Sequence, residues 1–203
     1  MDPWQTGFVP GRGITDNILL TQELVADLDR RLRHPNLMLK LDMEKAYDRV
    51  EWPFLLLMLR KFGFEEQVVD IIFRLVSNNW FSVLVNGEAA GFFKSSRGFR
   101  QGDPVSPALF VLIAEFLGRG VHHLLVNQPG RLFVSSGTPV PYLAFADDML
   151  IFTRCSEECL TAIKGFLTEY QEASGQRVNS IKSSLFLPSG ATSRQEELVH
   201  RIL

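Results

Sequence analysis

Apolar residues recur along this chain with two periods, and the periods divide it into helices and strands. Ile14, Ile18, Val25, Leu28 and Leu32 fall at helical spacing. That spacing predicts a helix capped by Thr15 or Asp16, buried along one face and ended before Pro35. Residues 37–41 form a short apolar run that predicts a strand ending on Asp42. A helix follows over 52–63, with Pro53 suited to its first turn and Gly63 to its stop. Residues 65–77 carry Val68, Val69, Ile71, Ile72, Phe73, Leu75 and Val76 on nearly every side, which predicts a largely buried helix. Residues 81–85 and 91–94, around Asn86-Gly87-Glu88, predict a β-hairpin. A loop over 95–104 then opens a helix whose first turns hold Pro104 and Pro107, with Asp103 or Ser106 to cap it. Beyond Pro129 and Gly130, strands are expected over 131–134, 140–146 and 149–153. A covering helix over 157–173 presents Leu160, Ile163, Leu167 and Tyr170, and a strand over 184–187 and a last helix from Ser193 complete the pattern. No repeat or linker interrupts the middle, so one domain is expected.

Within this pattern one stretch is unusual. Tyr142-Leu143-Ala144-Phe145 and Met149-Leu150-Ile151-Phe152 are apolar runs that flank Ala146 and two adjacent carboxylates, Asp147 and Asp148. The run predicts a buried hairpin whose two-residue turn is Asp147-Asp148. Like charges side by side repel, more strongly where apolar packing lowers the dielectric, and a divalent cation would relieve the repulsion. The pair fits a solvated hairpin tip or a metal site equally well. Asp42, at a strand end about a hundred residues upstream, can reach the same sheet. Three converging carboxylates would suit Mg²⁺, with Mn²⁺ as a substitute, and would point to nucleotidyl transfer or phosphodiester cleavage.

Composition narrows the partners. The 21 Lys and Arg against 23 Asp and Glu give a net charge of −2, which supplies no general attraction for nucleic acid. Any such contact must be local. Candidates are Arg12 between Gly11 and Gly13, where amides can approach an anion, and the loop holding Arg97, Arg100, Gln101 and Gly102 at a helix N-terminus. Each equally suits an ordinary surface turn or helix cap. The basic run Arg30 to His34 reads as a solvated face complementing a helix C-terminus. Cys155 and Cys159 lack zinc-ligand spacing and read as reduced thiols. No leader is visible and no apolar run approaches the roughly 20 residues needed to span a bilayer. The expectation is an intracellular protein, nuclear or cytoplasmic, with no membrane partner and no oligomeric state legible.

Five strings in order complete the reading. Gln5-Thr6-Gly7-Phe8-Val9-Pro10-Gly11-Arg12 with Asp16-Asn17-Ile18 comes first, and Leu41-Asp42-Met43-Glu44-Lys45-Ala46-Tyr47-Asp48-Arg49-Val50 second. Gly98 to Pro107, Phe145-Ala146-Asp147-Asp148, and Ser174 to Asn179 with Lys182 follow. Together they resemble the reverse-transcriptase domain of non-long-terminal-repeat retrotransposons, the long interspersed type common in plants. Phe145 stands where many members of that family have Tyr.

The resemblance implies an α+β fold, a polymerase palm with an antiparallel sheet backed by helices, part of the fingers, and essentially no thumb. Residues 1–36 would belong to the fingers, 37–190 to the palm with the helices of 51–77 interleaved, and 191–203 to the start of a truncated thumb connection. It implies that Asp42, Asp147 and Asp148 are catalytic and metal-binding, with Lys182 assisting the departing pyrophosphate. Tyr47 would lie under the incoming sugar and exclude a 2′-hydroxyl. Gln101 and Gly102 would meet the template and nascent base pair, where a side chain at 102 would obstruct. Arg12 and Lys45 would meet the triphosphate. The implied partners are an RNA template, a DNA primer and deoxynucleoside triphosphates. With near-neutral charge and no thumb, the chain is expected to extend primers weakly or not at all alone. A two-metal nuclease and a non-catalytic retroelement relic are the alternatives.

Overall fold

The computed structural model describes residues 1–128 and 130–202; Pro129 and Leu203 lie outside the described residues. The elements run α1 (Ile14–Ala26), β1 (Asn36–Leu41), α2 (Trp52–Lys61), α3 (Glu66–Ser77), β2 (Trp80–Val85), β3 (Glu88–Lys94) and α4 (Ser106–Val126). They continue with β4 (Tyr142–Phe145), β5 (Asp148–Arg154), α5 (Glu157–Ser174), β6 (Ser184–Phe186) and α6 (Ser193–Ile202). Four strands form one antiparallel sheet in the order β4-β5-β1-β6, and β2-β3 stand as a separate two-stranded ribbon.

Alternation along β1 sorts its side chains onto the two faces of the sheet. Leu39 and Leu41, with Ile151 and Met149 opposite them on β5, face α2, α4 and α5. Met38 and Phe152 face the other way, where Leu24 of α1, Phe133 and Val140 cover them. The backing helices contribute fully buried Leu55, Leu59, Ile113 and Leu125. Each such leucine or isoleucine contributes about 1.5–3 kcal/mol relative to exposure. On the α1 face the cover stops short, and Lys40, Phe145 and Asp148 at the end near the hairpin tip are exposed.

Several expected elements are corrected. In α1 the face toward the sheet is Asn17, Leu20 and Leu24, followed by Leu28 just past the helix, while Ile14 and Ile18 are 48% and 49% exposed. A polar group holds the inner face because Asn17 donates its amide to the Ala144 carbonyl (3.1 Å). The helix starts from Gly13 without a side-chain cap and ends at Ala26, so the basic run 30–33 lies beyond it. Helix α3 buries only Val69 and Val76, and Ile71 is 65% exposed. Of its other apolar residues, Ile72 packs half-buried against the core, Phe73 meets Trp52 edge-on at 6.1 Å, and Val68, Ile71 and Leu75 are exposed. Residues 131–134 form no strand beyond a single bridge between Leu132 and Thr153. Helix α4, at 21 residues, is long and apolar enough to cross a membrane. In this fold it is the spine of the core, with eleven of its residues buried.

Candidate active site

The hairpin that carries the carboxylate pair is one residue out of its expected register. Phe145 pairs with Asp148, so the two-residue turn is Ala146-Asp147, and Ala146 has a φ of 56°. Asp148 is therefore the first residue of β5 and takes the sheet face of Leu150 and Phe152 by alternation. β1 and β5 pair up to Leu41 with Met149, and one step further along that register sets Asp42 opposite Asp148 on that same face. Asp147 and Asp148 are exposed, whereas Asp42 is half-buried. The apolar runs thus bury the flanks of the hairpin and leave its acidic tip in solvent.

Behind Asp42 the chain makes a tight turn that presents Tyr47. Lys45 takes a φ of 48°, and its carbonyl accepts from the amides of Asp48 (2.9 Å) and Arg49 (3.2 Å). The Tyr47 ring stacks on Phe110 at 4.7 Å between centroids and meets Phe99 edge-on at 6.4 Å. Burial, and then the Asp147 carboxylate, push the Tyr47 hydroxyl above its ordinary pKa. Two loops fix the Tyr47 turn. Phe99 donates its amide to the Tyr47 carbonyl (2.8 Å), and Gly98 donates to Val50 (2.8 Å). Gly98 has a φ of +82°, and a Cβ there would meet the Asp48 carbonyl at 2.5 Å, so only glycine permits this approach. From the other side, buried Gln176 donates to the Ala46 carbonyl (3.2 Å) and accepts from the Tyr170 hydroxyl. The Asn179 amide donates to the Asp42 carbonyl (2.8 Å), and Glu44 donates to Arg177 (2.8 Å), so residues 176–179 brace the segment from Asp42 to Tyr47.

The N-terminal string supports the hairpin. The amides of Ala144 and Thr6 alternate with the carbonyls of Trp4 and Ala144 (2.9 and 3.0 Å), adding a short parallel bridge beside β4. Gly7 lies directly under the turn, where a Cβ would sit 2.1 Å from the Ala146 amide nitrogen. Gly7→Ala is expected to lower stability by about 1–3 kcal/mol, since two backbones must separate. A denaturant titration showing an unchanged midpoint would refute this. Gly7, Phe110, Phe99 and Gln176 are site residues that hydrophobic spacing does not reveal. The only signal for Gly7, Phe99 and Gln176 is that they belong to the recurring strings, and Phe110 lies outside all five.

The remaining candidates are placed as follows. Gln101 is exposed and donates to Asp48 Oδ1 (3.3 Å). Gly102 has a φ of +86° with no protein atom within 4 Å of a built Cβ, so within the chain its glycine serves the backbone conformation. Lys182 and Lys45 are exposed. The amides of Ile181 and Lys182 both donate to Asn179 Oδ1 (3.1 and 3.2 Å), which fixes the turn carrying Lys182. Arg12 has a structural partner set: its Nη1 donates to the carbonyls of Asp2 (2.6 Å) and Gln5 (2.7 Å), tying down the N-terminal loop.

Among the described residues no three His, Cys, Asp or Glu side chains gather closely enough to hold a metal ion, so the expected three-carboxylate cluster is not preformed. The donor chemistry still fits Mg²⁺. That ion is held through one or two carboxylates, with substrate phosphates and water completing its shell, and Asp42, one residue past β1, shares a sheet face with Asp148 at the start of β5.

An antiparallel sheet backed by helices on one face, with a strand-end carboxylate beside a two-carboxylate hairpin, is a polymerase palm. The family described as reverse transcriptase (RNA-dependent DNA polymerase) matches residues 1–199, and the chain belongs to it. It is 35% identical over 114 residues to a Pol polyprotein of the R2 retrotransposable element of Popillia japonica, covering 55% of this chain and 18% of that protein. It is 31% identical over 186 residues to a 149 kDa protein of transposon TX1 of Xenopus laevis, covering 90% of this chain and 14% of that one. The domain is thus of the non-long-terminal-repeat retrotransposon kind, and it spans under a fifth of the length of these relatives. Among solved structures, telomerase of Candida albicans with a fragment of telomeric RNA superposes over 93% of this chain and 33% of its own. The TM-score is 0.66 at 14% identity, a likeness of fold.

Proposed function

We propose that this domain catalyses RNA-templated DNA synthesis, joining a deoxynucleoside triphosphate to a primer 3′-hydroxyl. The observation that carries the reading is the meeting, at one open sheet end, of Asp42, the Ala146-Asp147 turn and the Tyr47 ring. Asp42 and Asp147 would hold Mg²⁺, with Asp148 beside them. The bound ion would stabilise charge on the attacking and leaving oxygens of an in-line displacement. The chain's own groups do the rest. Tyr47, locked between Phe110 and Phe99, cannot swing away from the sugar position, so a 2′-hydroxyl meets a fixed ring. Gln101 and Gly102 offer an open surface to the template and nascent pair, and Lys182 can neutralise or protonate the pyrophosphate. Lys45 is available to the triphosphate, whereas Arg12 acts by holding Gln5 beneath the hairpin. A two-metal nuclease would need neither Tyr47 nor the Gln101 loop.

Primer extension on a poly(rA) template with an oligo(dT) primer tests this. The expected result is slow, Mg²⁺-dependent incorporation of dTTP in preference to UTP, abolished by a chelator. Incorporation that does not depend on the template overturns the reading, and so does degradation of the labelled strands without deoxynucleotide.

A further inference from the structure

The β2-β3 ribbon presents large apolar side chains to solvent, and its chemistry is not that of a bare protein interface. The Asn86-Gly87 turn, with both φ values positive (51° and 87°), closes the ribbon tightly. Phe81 and Phe93 form a cross-strand pair with rings stacked at 5.8 Å and 24°, and Phe93 is 52% exposed. These rings form one side of a cleft of about 440 Å³ whose other lining includes Phe99, Arg97, Arg100 and Gln101. On the opposite face the Lys94 ammonium lies 4.9 Å from the Trp80 ring centre.

We propose that this cleft is a single-strand platform, on which an unpaired nucleotide of the template stacks against Phe81 and Phe93 before reaching the site at Asp42 and Asp147. Flat rings bordered by guanidinium groups suit a base and its phosphate together, and such stacking tolerates any base. Ring chemistry rather than net charge favours a base: Arg97 is paired with Glu51 (3.3 Å), the Asp48 carboxylate keeps its charge while accepting from the neutral Gln101 amide (3.3 Å), and Arg100 is the exposed cation in the lining that can meet a phosphate. Continuity with the reaction site selects the strand. Gln101 and Asp48 line the cleft, and Phe99 is hydrogen-bonded to the Tyr47 carbonyl (2.8 Å), so a strand lying in the cleft runs directly onto the Tyr47 turn. The identity of that strand as template rests on the polymerase reading; the stacking site itself does not.

Fluorescence anisotropy with a labelled single-stranded oligo(rA) and with a blunt RNA–DNA hybrid, at one fixed salt concentration, tests the platform. Phe93→Ala is expected to weaken single-strand binding about tenfold while changing hybrid binding less than about twofold, and Phe93→Trp restores the single-strand affinity. The ribbon packs on itself, so circular dichroism of both variants is expected to match the parent. Equal single-strand affinity of parent and Phe93→Ala overturns the proposal. A loss that Trp does not restore also overturns it, as does a concentration-dependent dimer in light scattering that disappears in Phe93→Ala. Primer extension run alongside separates the two readings. Template-independent incorporation or strand degradation with stacking intact removes the polymerase and keeps the platform, whereas templated extension with no effect of Phe93 on binding removes the platform alone.

Discussion

Asp147→Asn lowers primer extension by about a thousandfold, the equivalent of roughly 4 kcal/mol of transition-state stabilisation, while leaving the thermal midpoint unchanged or slightly raised. Asp147 is the second residue of a two-residue turn, exposed, with no ion-pair partner among the described residues. Nothing in the fold leans on its charge, and removing one of two adjacent carboxylates relieves repulsion with Asp148. The amide keeps the size and the turn conformation but loses the anionic oxygen that would bind Mg²⁺. The same substitution at Asp148 is expected to cost less activity, because the proposed role of that residue is to stand beside the two ligands rather than to be one. A primer-extension time course beside a thermal melt decides it. A matched fall in activity and melting temperature would mean that Asp147 acts on the fold. Unchanged activity in a stable variant would remove it from the chemistry.

What the sequence conveys about this site depends on how local each determinant is. The strand ending on Asp42 and the hairpin are visible because apolar runs break at carboxylates over a few positions, whereas Tyr47 enters only through the family resemblance. The turn register was misplaced by one because Asp-Asp looks like the polar tip, whereas Ala146 takes the left-handed conformation. That choice follows from contacts remote in sequence, since Gly7 offers no side chain under Ala146 and the bridge to Gln5 holds β4 in place. The α1 face failed for a related reason. Asn17 satisfies an Ala144 carbonyl at the sheet edge, and hydrogen bonding of a buried carbonyl outweighs the burial of Ile14 or Ile18 there. Helix α3 looks like core in sequence because exposed apolar residues and buried ones have the same composition. Only the absence of a neighbouring layer in the fold distinguishes them.

Alkali is expected to unfold the domain cooperatively by about pH 12, through two tyrosines. Burial pushes the Tyr142 hydroxyl far above its ordinary value, with the Asp2 and Glu115 carboxylates adding to the rise. Burial does the same to Tyr170, which is 2% exposed and donates to Gln176. Both groups stay protonated in the folded chain while the unfolded chain ionises near pH 10. Their contribution is therefore complete below that pH and is lost as pH rises toward the folded values. Each tyrosine removes about 1.4 kcal/mol per pH unit above 10, so the pair removes about 5 kcal/mol by pH 12, the scale of a small domain's whole stability. Tyrosinate absorbance and far-ultraviolet circular dichroism should then change together, and tyrosines that ionise at ordinary pH in a chain that stays folded would refute the account. Two variants separate the sources. Among the described residues the Tyr142 hydroxyl has no partner at hydrogen-bond geometry, with only the Asp2 carboxylate near it, so Tyr142→Phe should roughly halve the alkaline slope at little cost near neutrality. Tyr170→Phe should halve it too, but at a cost of about 1–3 kcal/mol at neutral pH, because Gln176 Oε1 is left buried and unpaired. Gln176 also holds the Ala46 carbonyl, one residue before Tyr47. Losing its partner therefore loosens the turn that presents Tyr47, the ring proposed to meet the sugar, and Tyr170→Phe should relax the preference for dTTP over UTP, whereas Tyr142→Phe should not.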